Sequence, residues 1–227
     1  MMMKSSRQWA ASVAMVLCVA ASLGVADAAS AANTNPGVLP VQSTAFGTTY
    51  GQWSARWWQW ALSAPAPDNP VLDTTGANCA VGQSGPVWFL AGNFGGRVSR
   101  TCTVPAGRAL FFPIINHICA PDPGETATFQ DELACVRAGA ALDTGAVEID
   151  GRTVQNLRDY LVESPEFALT LSAGNVLGAP AGVYAPAAAA GIHLLLAPLP
   201  TGEHLIHFTG ANGRGFALDV TYHLTVR

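Results

Sequence analysis

His117 is the residue in this chain whose surroundings look most like chemistry. It follows the apolar run Ala109–Ile115, stands beside Asn116 and comes just before Cys119. Asp122, Glu125, Asp131 and Glu132 come soon after. A histidine held near a carboxylate can work as an acid–base pair, and grouped carboxylates can hold a cation through their oxygens. Read as an enzyme, the chain is a hydrolase or lyase using His117 with Asp122 and Glu125. Read plainly, the same residues are a polar surface loop braced by a disulfide.

The tryptophans suggest binding instead. Trp53, Trp57 and Trp60 recur at i, i+4 and i+7, one face of a helix. A stripe at that spacing is expected to pack against a sheet. Trp58 falls off the stripe and is the better candidate for an exposed platform, since an indole offers a large rigid surface to sugar rings and other flat ligands. The expected ligand-binding residues are therefore Trp58, Trp57 and His117. Trp88 lies in an apolar run and is assigned to the core.

Other candidates fall away on spacing. His204 and His207 lie three apart on a predicted strand and so point to opposite faces. Gly82-Gln83-Ser84-Gly85-Pro86 lacks the last glycine of a nucleophile elbow and precedes a strand where the elbow follows one. Asp68, Asn69 and Asp73 could bind calcium, but beside Pro67 and Pro70 they are ordinary turn formers. There is no G-x-G-x-x-G, Walker or H-E-x-x-H pattern. No metal and no cofactor is expected.

The elements that must position these residues are mostly short strands. Thr49 and Gln52 form a T-x-x-Q capping box, so a helix begins there and Pro65 ends it. Val87–Leu90, Arg100–Val104, Ala109–Ile115, Val147–Ile149 and Phe167–Leu171 are apolar or alternating runs bounded by turn residues, the strand signature. Residues 126–139 and the stretch Val154–Leu161 read as short helices. Asp150-Gly151 is a tight turn. Residues 178–191, rich in Ala, Pro and Gly, read as a long surface loop.

Ile192–Ala197, Glu203–Thr209 and Phe216–Val226 read as strands, the last strictly alternating, with one buried and one wet face. Setting Ile206 and Phe208 against Val220 and Leu218 places His204 opposite Tyr222, His207 opposite Asp219 and Glu203 opposite His223. The expected fold is mainly β: a two-sheet antiparallel sandwich, jelly-roll or immunoglobulin-like, with an N-terminal Trp-rich helix and two further short helices.

Composition sets the context. Half of the 227 residues are hydrophobic and 11% are charged, which argues against disorder. A net charge of −4 argues against a nucleic-acid groove, which needs clustered cations. Residues 1–28 read as a signal peptide: Lys4 and Arg7 precede a short apolar run, and Ala26-Asp27-Ala28 has the form of a cleavage site. The run is shorter than the roughly 20 residues that span a bilayer, and no later stretch is long enough, so no membrane span is expected in the mature chain. Cleavage would leave no lysine, which excludes a lysine Schiff base. Residues 29–45 read as a flexible lead-in and 46–227 as a single domain. Cys79, Cys102, Cys119 and Cys135 form an even set in an exported chain, so two disulfides are expected. Of the three pairings, Cys79–Cys102 with Cys119–Cys135 is favoured, because each closes a local loop.

Four stretches resemble a group of uncharacterised secreted bacterial proteins with no assigned activity. These are Trp53-x3-Trp57-Trp58-x-Trp60, Gly85-Pro86-Val87-Trp88-Phe89-Leu90, Val104-Pro105-Ala106-Gly107 and Thr221-Tyr222-His223-Leu224-Thr225-Val226. The resemblance runs from about residue 46 to the end. It implies export and one domain, and it supplies no catalytic residues. The function expected is that of a secreted, disulfide-stabilised binding protein acting at or outside the cell envelope, with a glycan or envelope polymer as ligand.

Overall fold

The computed structural model describes residues 35–227. The expected signal peptide lies outside the described residues. Helix α1 (Tyr50–Ala61) starts at the capping box: the Gln52 N–H donates to Thr49 Oγ1 and the Thr49 N–H to Gln52 Oε1. Its far end is closed by a side chain. Asn69, fully buried, donates through Nδ2 to the carbonyls of Ala61 and Ala64, at 2.7 Å each. Three indoles of the stripe are also tethered. Trp53 donates to Ala45 O, Trp57 to Leu90 O and Trp60 to Val81 O.

The strands are β1 (Val87–Phe89), β2 (Gly96–Val104), β3 (Ala109–Cys119), β4 (Thr144–Ile149), β5 (Arg152–Thr153), β6 (Leu161–Glu163), β7 (Phe167–Leu171), β8 (Gly182–Leu196), β9 (Gly202–Ala211) and β10 (Ala217–Val226). They make two five-stranded sheets. One runs β1-β3-β8-β6, with β7 also on β8; the other runs β2-β10-β9-β4-β5. The two share one hydrophobic core in a sandwich-like arrangement, with Phe112 of β3 against Phe208 of β9 at 5.3 Å. Neither sheet is purely antiparallel as expected. β1 pairs with β3 and β2 pairs with β10 in parallel, which makes both sheets mixed. The long chain segments between these strand pairs are what permit parallel neighbours. Among the described residues no helix is long and apolar enough to cross a membrane.

Both disulfides have the expected pairing, Cys79–Cys102 and Cys119–Cys135. The second ties β3 to helix α2 (Phe129–Ala140), which opens on a Thr128–Asp131 capping box. Asp150 and Gly151 take φ of 50° and 74°, as the expected tight turn requires, and join β4 to β5.

Two further expectations fail. Val154–Leu161 is not an α-helix. Asn156 adopts a left-handed φ of 55°, and only a 3-10 turn, Leu157–Tyr160, follows before β6. Residues 178–191 are not a surface loop. From Gly182 on they form β8, the central strand of its sheet, and Ala187, Ala188 and Ala189 are completely buried. The alanines are small because α2 and the main core press on the strand from its two sides. Ala188 and Ala190 pack under Leu133 and Val136, while Ala187 and Ala189 belong to the main core.

The C-terminal hairpin keeps the expected faces but is displaced by two residues. Phe208 opposes Val220, Ile206 opposes Tyr222, His204 opposes Leu224 and Glu203 opposes Thr225. A shift of two preserves which side chains are buried. His207 still reaches Asp219, now diagonally, at 3.0 Å. His204 instead bonds Asp150 and the Pro200 carbonyl. Burial alone would lower the His204 pKa, but the Asp150 carboxylate and that carbonyl outweigh it and raise it. Part of the lead-in also lies along the sheet: Val38 is buried and bridges Leu196.

His193 of β8 is buried outright and stacks on Phe111. Its Nδ1 faces the Gly191 carbonyl at 2.9 Å and must donate, so Nε2 accepts from the Ser54 hydroxyl at 3.2 Å. This bond joins β8 to α1. Burial holds the His193 pKa at about 4, against partial help to the charged form from the Gly191 carbonyl. The unfolded chain therefore takes up a proton near pH 6.5 that the folded chain refuses until about pH 4. Stability is intact above pH 6.5 and falls as the pH drops through that window, by about 3 kcal/mol in all. Urea unfolding at pH 7 and at pH 4 should show this fall, and His193→Asn should lose most of it. A second expectation concerns the alanine strip. Ala188→Leu should destabilise the fold by about 2 kcal/mol, read as a lower urea midpoint, because α2 leaves no room for the added methyl groups.

Candidate functional site

The site is built where β3 breaks its register. Between Pro113 and Ile115 the pairing with β8 shifts. A proline at such an irregularity gives up a ladder hydrogen bond at little cost, and the bulge turns the following residues toward α1. Pro113 to Ile118 form one wall of a cavity of about 330 Å³. Trp57, Trp58 and Ala61 of α1, with Leu62 at its C-cap, form another, and Phe94, Leu177, Phe216 and Leu218 stand around them. Phe94 and Leu177 are about half exposed. The lining is mainly apolar; its polar members are Asn93, Asn116, His117 and Asn212.

Trp57, Trp58 and His117 thus meet at one cavity. Their individual situations differ from expectation. Trp58 is not an exposed platform, since only 9% of it is accessible; Trp57 packs edge-on against it at 5.1 Å. Trp57 is buried and its indole N–H is taken by Leu90 O at 3.0 Å. Trp58 Nε1 is buried with no hydrogen-bond partner, and so is Asn116 Nδ2. Trp88 is buried, as assigned.

His117 lies on β3, within the strand and not beyond it. Its carboxylate partner is Asp143, with Nε2 at 2.9 and 3.1 Å from the two oxygens. Asp122 and Glu125 are exposed on the loop that follows β3, and neither bonds to His117. The catalytic set His117, Asp122 and Glu125 is therefore corrected: the pair is His117 with Asp143. The Asp143 side chain is fully buried, and that of His117 is 20% exposed. The other ring nitrogen, Nδ1, lies against Gly139 of α2, where even a Cβ would come within 2.8 Å of it. One nitrogen is thus engaged by Asp143, and the other packs beside the helix backbone.

Asp143 carried no local signal in the sequence. It sits just after α2 and before β4, and only the docking of that helix on β3 brings it under His117. Arg158 adds a bond to the Asp143 carbonyl at 2.8 Å. Between α1 and β1, Asp73 is spent on a turn and Asn69 on the helix end. Asp73 accepts from Thr75 and from the Asn78 N–H, and Asn69 caps the helix. Burial would raise the Asp73 pKa, but these donors outweigh it and lower it. Among the described residues no group of three or more His, Cys, Asp and Glu side chains could hold a metal ion.

Fold and site together define a mainly β, disulfide-braced protein with an aromatic-walled cavity between a helix and a bulged strand. No protein-family model matches the chain, and no curated protein matches it.

A buried carboxylate stripped of its partner is costly. His117→Ala should therefore lower stability by about 3 kcal/mol in urea unfolding, whereas His117→Asn, which keeps an N–H for Asp143, should recover a measurable part of that loss. Equal losses would mean that the Asp143 contact carries none of the effect.

Proposed function

We propose that this protein is an exported binding protein, acting at or outside the cell envelope, that seats its ligand in the cavity between α1 and β3. The observation that carries this reading is the convergence of Trp57, Trp58 and His117, from distant parts of the chain, on one mainly apolar cavity of about 330 Å³. That volume lies in the range of small-molecule sites. Two disulfides fit an oxidising compartment, as does the resemblance to secreted bacterial proteins. The half-exposed Phe94 and Leu177 at the cavity are side chains that a bound ligand would cover. An envelope polymer such as a glycan would enter by a chain end or a single residue, because the site is a cavity and not a long groove.

The hydrolase or lyase reading rests on the His117–Asp143 pair, which has the contact of an acid–base dyad. Binding is favoured over it because His117 is the single titratable side chain among the residues that line the cavity, so no nucleophile or second acid–base group stands beside its ring there.

Calorimetry and tryptophan emission with indane, a compact apolar probe, test the cavity. Indane should bind and shift the emission. Phe94→Ser with Leu177→Ser should weaken it about tenfold, since two apolar contacts are lost, while thermal stability stays near that of the parent. No heat and unchanged emission, with indane and with envelope polysaccharide alike, would refute the reading.

A further inference from the structure

The cavity carries more information than its shape. Two nitrogen donors of its lining residues are buried and have no acceptor: Trp58 Nε1 and Asn116 Nδ2. Buried donors are almost always paired in folded proteins, and one left alone calls for an explanation. The neighbouring indoles sharpen the contrast. Trp53, Trp57 and Trp60 lie on the same helix, and each gives its N–H to a main-chain carbonyl. The chain supplies acceptors for the three indoles of the stripe and none for Trp58; Trp88 Nε1 and Ser43 Oγ are also buried without a partner, but of the four only Trp58 and Asn116 line the cavity. The two free donors come from α1 and from β3 just beyond its bulge, so the helix and the strand each contribute one.

Resting on the cavity being the binding site, we propose that its ligand is a compact apolar molecule bearing an sp2 oxygen, a carbonyl or a carboxylate, which accepts from Trp58 Nε1 and Asn116 Nδ2. Such an oxygen has two lone pairs and can take both bonds at once. Apart from Asn93, His117 and Asn212, the rest of the lining, built from Ala61, Leu62, Ile115, Ile118 and Phe216 among others, asks for hydrocarbon. A sugar fits this site poorly. Each of its hydroxyls also brings a donor, and the apolar walls would leave most of them unpaired. This is narrower than the glycan expectation and points away from it.

The test compares 1-indanone with indane, which share a ring frame and differ at the carbonyl. Affinities come from calorimetry on the purified protein, and 15N-resolved NMR follows the indole N–H of Trp58, identified by its loss in Trp58→Phe. Indanone should bind about tenfold more tightly than indane, the return expected for pairing a buried donor. The Trp58 N–H resonance should move downfield with indanone and stay nearly still with indane. Trp58→Phe should remove most of the preference while indane binding persists. Asn116→Leu should reduce the preference independently, which keeps the test open if the first variant folds poorly. Indane-1-carboxylate distinguishes the two sources of the oxygen: tighter binding than indanone assigns an anion, weaker binding a neutral carbonyl. Equal affinity for indane and indanone, or an unmoved Trp58 resonance with indanone bound, overturns the inference and leaves the cavity reading standing. Displacement of indanone by cellobiose at lower concentration also overturns it. Failure of both indane and indanone to bind overturns the inference, and failure of envelope polysaccharide as well removes the cavity reading on which it rests.

Discussion

One buried guanidinium holds the strands and loops behind the cavity in register. Arg100 of β2 is 1% exposed, and its donors all go to oxygens of the protein interior. Nε donates to Asp73 O, Nη1 to Ala91 O and to the Tyr222 hydroxyl, and Nη2 to Gly92 O and Val71 O. These contacts gather two loops and β10 around one strand. A charge removed from water is stable only when its hydrogen bonds are met in full, and here the fork shape of arginine meets several separate acceptors. A lysine, with three donors on a single point, could not span them. Tyr222 completes the arrangement. Its hydroxyl accepts from Arg100 and from the Ala91 N–H and donates to the Ala91 carbonyl, while burial raises its pKa against the opposing pull of Arg100.

Two of the residues held by Arg100, Val71 and Gly92, are also lining residues of the cavity. The same polar knot that stabilises the β2–β10 seam therefore shapes the site. Trp57 is the one tethered indole in the cavity wall, held both by packing and by its bond to Leu90 O. Trp58 is packed but not tethered. Trp88 shares that condition in the core, and what sets Trp58 apart is its place on the cavity wall.

Local signals in the sequence translated well into local structure. The T-x-x-Q box, the tight turn at Asp150-Gly151, the alternation of β10 and the pairing of the cysteines all depend on residues close together in the chain or on simple periodicity, and all appear in the fold. The hairpin register differs by two because the faces, which the pattern dictates, are identical in both registers, so alternation does not choose between them. The alanine-rich run around 187–190 was misread because small residues signal turns and loops when seen alone. They signal a crowded strand only when the helix and the core that crowd it are in place.

The amino-acid sequence alone determined a β-rich body, its capped Trp-bearing helix and its cysteine pairs, because composition and short-range spacing act through the backbone without reference to distant neighbours. Only the tertiary structure decided that the sheets are mixed, that His117 answers to Asp143, and that Trp58 and Asn116 are left with unpaired donors. Those outcomes follow from which distant surfaces dock, and docking is settled by the packing of whole elements, a quantity no local pattern contains.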